Sequence, residues 1–228
     1  MARTALDPRA FNAGSRHKRC GMDSMNQRGE SPLTEPLMKL RESNPEEVAR
    51  KAGARWESAV GDVVLPVLSG EVRVRFPEVH IEAPRGLDSF SLKLLTLLYL
   101  CNTDGAAPSG QWLAYRDLPG GRFYEPVVNR SVEAPIARQF GENVAGFLEA
   151  CAGAGGVDAS FGDASSQFAL FPKVHIAFIL WQNDREFPAR AQALFDSNSA
   201  HHLNAFDLRM GAQEISSMIV KLPTGEGS

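Results

Sequence analysis

At 228 residues, 43% of them hydrophobic, the chain is long enough to bury a core of its own. Its 24 basic and 27 acidic residues leave a formal charge of −3 with no dense basic patch, which argues against nucleic acid as a partner. The three cysteines, Cys20, Cys101 and Cys151, are odd in number and far apart, so they argue against a disulfide framework or a paired zinc knuckle and fit a reducing cytoplasm.

Residues 1–35 are basic, polar and rich in Ser, Asn, Gly and Pro, without the apolar stretch of a secretory signal; they read as a disordered extension. A single folded domain is expected over residues 36–222, with 223–228 as a flexible tail. In SNPEEVARKAGARWESAV, Asn44 suits a helix N-cap, Pro45 the first helical position and Glu47 the capping-box partner. Val48, Ala52, Trp56 and Ala59 then share one face of the predicted helix. The valine-rich runs GDVVLPVL, EVRVRF and EVHIEA follow as a predicted antiparallel meander, with Val72, Val74 and Phe76 on one face.

LDSFSLKLLTLLYLC, residues 87–101, is strongly apolar but is interrupted by Asp88, two serines and Lys93. It falls short of the roughly 20 residues that span a bilayer, so it predicts a buried core helix and no membrane anchor. Gly105 and Gly110 bracket a loop after it. QWLAYRDL and GRFYEPV flank a PGG turn at 119–121 of the type II pattern. Residues 127–152 show helical spacing, with Val144, Phe147, Leu148 and Cys151 on one face, and GAGG ends that helix. SSQFALFP and KVHIAFILW read as strands, the second apolar on both faces. DLRMGAQEISSMIVKL closes the chain as a helix with Asp207 as N-cap and Leu208, Ala212, Ile215, Ile219 and Leu222 on one face. This order predicts an α+β fold, a mainly antiparallel sheet packed by helices.

No motif carries an activity outright. GAAPSGQW lacks the Gly-Lys-Ser/Thr ending of a phosphate loop, and GAGGVDASFG follows a helix where a dinucleotide fingerprint follows a strand. Cys101 and Cys151 sit at the ends of apolar helices and read as small buried hydrophobes with raised pKa. Ser, His and Asp are present, but no Gly-x-Ser-x-Gly elbow is.

The remaining signal is LWQNDREFPARAQALFD, residues 180–196. If KVHIAFILW and ARAQALFD form a hairpin with residue 181 opposite 189, Asp184 and Glu186 lie at the turn, and Asp196 sits roughly 25 Å away opposite Lys173 and His175. Asp184 and Glu186 near Arg185 suit an acid/base pair or cation ligands, although Asn and Asp in turns equally serve their own backbone. Asp196 with His175, His201 and His202 suits a divalent metal; adjacent histidines point apart, however, and a helix-cap and salt-bridge cluster uses the same residues.

The string W-x-x-D-x-E-F-P-A-x-A-x-x-L-F-D, from Trp181 to Asp196, together with LLYL, GQWLAYRDLPGGRFY and LFPKV, resembles the bacterial and archaeal domain of unknown function 3786 family, over about residues 45–221. The resemblance implies an unassigned activity, anaerobic hosts and, in some members, a cysteine-rich iron–sulfur segment. This chain's leader holds only Cys20, so a four-cysteine cluster cannot be built in it and any such link would run through a partner. If the ends of the two tryptophan-bearing strands adjoin, Trp112, Tyr115, Arg116, Tyr124, Trp181, Asp184 and Glu186 line one rim, an aromatic and polar mix suited to a small molecule. The function read from this is a cytoplasmic protein that binds a small ligand or cofactor as an accessory or sensing component of anaerobic metabolism. Two alternatives stand beside it: a metal-dependent or acid/base enzyme using Asp184 and Glu186 or Asp196 and His202, and an interaction module docking on an iron–sulfur or corrinoid protein.

Overall fold

A computed structural model describes residues 34–184 and 186–222, so Cys20, Arg185, most of the expected N-terminal extension and the expected tail lie outside the described residues. Helix α1 (Thr34–Arg41) opens the described chain, and α2 (Pro45–Ala52) follows. The Asn44 side chain caps α2 by accepting from the Glu46 and Glu47 backbone N–H groups. Glu47 pairs with Lys51 at 2.8 Å one turn on instead of closing a capping box. The helix ends earlier than its spacing predicts: Gly53 takes a left-handed conformation, φ 67°, and turns Trp56 out of the helix into strand β1 (Arg55–Glu57).

The meander forms as expected. Strands β2 (Asp62–Val67), β3 (Gly70–Arg75) and β4 (His80–Glu82) extend β1 into an antiparallel sheet in the order β1-β2-β3-β4. Val72, Val74 and Phe76 are all buried, while Arg73 and Arg75 on the other face hold the buried Asp62. Ser89 caps α3 (Phe90–Asn102), whose leucines and Tyr99 are buried all round. Each such leucine contributes about 1.5–3 kcal/mol of burial energy. Tyr99 stacks on Phe171 at 4.5 Å and donates its hydroxyl to the Ala52 carbonyl, tying α3 to α2 and to the strand that carries Phe171.

The second sheet runs β5-β9-β8-β7-β6, all antiparallel: β5 (Trp112–Ala114), β6 (Val157–Asp158), β7 (Ala164–Phe171), β8 (Val174–Trp181) and β9 (Arg190–Asp196). The β8–β9 hairpin forms with Trp181 opposite Arg190, one residue from the predicted register, because Asp184 N–H closes a tight turn on the Phe187 carbonyl. After β5 the chain enters two 3-10 turns (Tyr115–Asp117 and Gly121–Phe123), with Gly120 at φ 81° supplying the type II geometry.

The predicted helix over 127–152 is two helices. The first is α4 (Glu125–Val128), a π turn (Asn129–Glu133) and α5 (Ala134–Phe140); the second is α6 (Val144–Gly153), separately capped by Asn143. The last helix, α7 (Ala205–Lys221), is capped by Asn204, not Asp207, which lies one turn inside it and is fully buried. One continuous set of buried side chains draws from both sheets and from α3, α5, α6 and α7, giving the α+β arrangement. No helix among the described residues is long and apolar enough to cross a membrane.

Candidate functional site

A groove lies between the α4–α5 helix and the outer edge of β9. Pro135 initiates it. In a regular helix its missing N–H would leave the Ser131 carbonyl without its bond, and its ring would press on that carbonyl. The chain widens there instead, with the Ala134 N–H donating five residues back to the Asn129 carbonyl. Ser131 donates its hydroxyl to the Val127 carbonyl at 2.8 Å within the same turn.

The wide turn carries Glu133 to the sheet. β5 covers β9 only from Leu194 to Asp196, so the next outward N–H on that edge, that of Ala193, needs another acceptor. Glu133 supplies it: Oε1 accepts from the Ala193 N–H at 3.0 Å, and Oε2 accepts from the Asn129 side-chain amide at 3.3 Å. Burial pushes the Glu133 carboxyl above the usual carboxylate range, and the Ala193 and Asn129 bonds offset only part of that. A desolvated acid in a cleft at a π turn marks a candidate site on two independent grounds.

Two adjoining hollows of about 160 and 360 Å³ flank Glu133. The first is walled by Tyr115, Arg116, Glu125 and Gln192, the second by Ala134, Ala137, Arg138 and Ala189; Asn129, Glu133, Arg190 and Ala191 border both. Arg190 lies over the Trp181 ring at 4.1 Å, which holds its guanidinium at the groove. Arg116 reaches Glu125 at 3.7 Å across the first hollow.

The seven residues expected on one rim are divided. Tyr115 and Arg116 line the groove, and Trp181 supports it through Arg190. Trp112 pairs with Asp196, at the far end of β9. It shares a sheet face with Trp181, but the six-residue step from Arg190 to Asp196 separates them by about 20 Å along the strand. The strand ends therefore do not adjoin, and Trp112 packs edge-on against Phe161 instead, 6.2 Å between centroids. Tyr124 rests on Phe206. Asp184 accepts the Glu186 and Phe187 N–H groups at 2.8 and 2.6 Å, which lowers its pKa and commits its carboxylate to the turn; Glu186 is exposed beside it. The Tyr115 hydroxyl is likewise engaged, donating to the Ala205 carbonyl at 2.7 Å.

Of the four residues weighed as metal ligands, Asp196, His201 and His202 organise a loop. Asp196, 1% exposed, accepts from the N–H groups of Ser109, Gly110 and Asn198 at 3.0, 2.6 and 2.9 Å and from the Ser109 hydroxyl. His202 donates from Nε2 to the Ala106 carbonyl at 3.1 Å, and its Nδ1 lies 2.9 Å from the Thr103 hydroxyl. His201 meets Asp104 at 2.9 Å, and His175 is half-buried on β8. Burial depresses His202 to about 4 and lowers His175 as well. Asp196 and His202 thus pin residues 103–110 from opposite ends. Among the described residues no group of three or more His, Cys, Asp or Glu side chains could hold a metal ion. Cys151 is buried and its thiol is pushed up to about 12, far from a nucleophile's range.

Asn129, Glu133, Arg138 and Arg190 were not singled out from the sequence. Pro135 inside the helical pattern of 127–152 was the available signal, since a proline within a helix marks a kink. Neither the curated proteins nor the solved structures yield a match to this chain. The family model described as Domain of unknown function (DUF3786) matches residues 44–218, and the chain belongs to that family.

Proposed function

We propose that this chain is a binding protein for a small polar ligand, held in the groove between the π turn and the edge of β9. The observation that carries this reading is Glu133: a half-buried carboxyl, desolvated and raised in pKa, facing a concave surface on which Arg116, Arg138 and Arg190 also open. A binding role fits better than the acid/base and metal alternatives because Asp184 and Asp196 spend their carboxylates on backbone N–H groups. An accessory or sensing role in anaerobic metabolism, as the resemblance implies, suits a protein that holds a ligand without turning it over.

The test is purification without oxygen followed by native mass spectrometry and absorbance, with the groove-filling Ala137→Phe variant alongside. A molecule retained by the wild type and lost from a folded Ala137→Phe protein supports the reading. Equal retention by both, or no retention together with no stabilising compound in a thermal-shift screen of small metabolites, overturns it.

A further inference from the structure

Ala191 borders both hollows and is 4% exposed. Its backbone direction follows from its neighbours. The Ala193 N–H points outward to Glu133, and a strand repeats every two residues, so the N–H and C=O of Ala191 point outward too. Opposite it on β8, Leu180 turns its carbonyl the other way, to the Asp163 N–H at 3.1 Å. The outward groups of Phe195 face β5, and that of Ala193 is taken by Glu133, but those of Ala191 find no hydrogen-bond partner among the described residues. An outward N–H and C=O on an uncovered strand edge are free to pair with an incoming molecule, so their place in a groove marks where a ligand can add a rung.

The side chains around that pair define what fits. Arg138 and Arg190 border the same hollow, Arg190 held by Trp181, and neither takes part in a salt bridge among the described residues. Guanidinium groups favour planar oxyanions, above all carboxylates, which they bind through paired N–H donors. The hollow, about 360 Å³ and lined in part by Ala134, Ala137, Ala189 and Ala191, is of a size for a small molecule.

Resting on the groove reading above, we infer that the ligand is a small carboxylate adjoining an amide: the amide pairs with Ala191 as one rung of a strand would, and the carboxylate meets Arg138 and Arg190. Glu133 stands beside the bound carboxylate, so the two share the space best when Glu133 carries a proton. Affinity therefore weakens as pH rises through the Glu133 titration, and binding takes up a proton. The charged and titratable groups facing Glu133 are Tyr115, Arg116 and Glu125 from one side and Arg138 and Arg190 from the other; burial keeps the Tyr115 phenol protonated.

The probe is N-acetylglycine, with its methyl ester and propionate as the forms lacking the carboxylate and the amide. Binding is followed by NMR shifts of the Ala191 and Ala193 N–H signals and by calorimetry. The expected result is saturable binding of N-acetylglycine centred on Ala191, weakened about tenfold or more by esterification or by Arg138→Ala or Arg190→Ala. In Glu133→Gln, which stands permanently for the uncharged acid, the affinity should be the same from acid to neutral pH, where the wild type loses it; a wild-type pH profile retained by the variant overturns the role of Glu133. Indifference to esterification, shifts centred away from Ala191, preference for a longer peptide, or no saturable shift at millimolar probe overturns the inference. A ligand recovered from the groove that lacks a carboxylate overturns it while leaving the binding function standing; failure of the Ala137→Phe comparison removes both.

Discussion

His202 gives the sharpest quantitative consequence of the structure. The ring is 1% exposed, packs against Tyr99 and has its nitrogens on the Thr103 hydroxyl and the Ala106 carbonyl, an arrangement that suits one neutral tautomer. A second proton would turn the Thr103 hydroxyl from donor to acceptor at Nδ1 and, above all, place a charge in a desolvated site. Burial accordingly moves the pKa from 6.5 to about 4, against the partial compensation of Asp104. Above 6.5 both folded and unfolded chains are neutral at this site and stability does not depend on it. As pH falls below 6.5 the unfolded chain takes a proton that the folded chain refuses, and stability is lost until about pH 4, where both are charged. A gap of about 2.5 units at about 1.36 kcal/mol each amounts to roughly 3 kcal/mol. Urea unfolding of the wild type and His202→Gln from about pH 7 to about pH 4 measures it. His175, also lowered, is present in both proteins and cancels. The wild type should lose about 3 kcal/mol more than the variant across that window. Parallel pH profiles would refute the assignment of a neutral, buried imidazole.

Three further outcomes are expected. Asp196→Ala removes the acceptor of the Ser109, Gly110 and Asn198 N–H groups and should cost about 3 kcal/mol or more, with faster hydrogen exchange at those amides; unchanged exchange would show that the loop is held by other means. Gly211→Ala in α7 would ordinarily stabilise a helix by about 1 kcal/mol, but the new Cβ would press into the Leu170 Cδ2 methyl, so a net loss of about 1–2 kcal/mol is expected in thermal melts, and a gain would mean that Leu170 moves aside freely. Glu133, with its pKa raised in the fold, contributes stability that is present below the unfolded pKa and lost as pH rises through the folded one. Glu133→Gln keeps an acceptor for Ala193 and should therefore be more stable than the wild type at neutral pH and no more stable in acid, as read by melting temperature.

Local signals were legible in the sequence and distant ones were not. Asn44 and Pro45 announce α2, strict alternation announces β3, and the apolar run announces α3, because each depends on neighbours within a few residues. The early end of α2 is a local fact too, but the apolar period carried through Gly53 and masked it. The β8–β9 register was missed by one residue because turn length depends on how Asp184 folds onto Phe187, which composition leaves open. The groove was legible only in part. Tyr115, Arg116 and Trp181 stand out as aromatic and charged residues in strand-end motifs. Glu133 reads as one more polar helical position until a π turn redirects it and Ala193, sixty residues on, gives it a partner.

The groove also differs from the rest of the fold in its energetics. Asp196, His202, Tyr99 and Tyr115 each reach a partner that satisfies them, so their burial stabilises the fold. At the groove, a widened helical turn, a desolvated carboxyl and an unpaired backbone rung of β9 occur within one hollow. Such features persist when surrounding structure over-determines them, and they tend to gather where a protein binds. A ligand that pairs with Ala191 relieves one of them directly, so binding should raise stability beyond what the ligand-free fold holds, by about 2.7 kcal/mol at a hundredfold excess over its dissociation constant. Glu133→Gln separates the carboxyl from the backbone rung: fixing the site in its uncharged form should stabilise the empty protein at neutral pH and remove the dependence of binding on a proton, while the Ala191 rung stays open for the ligand.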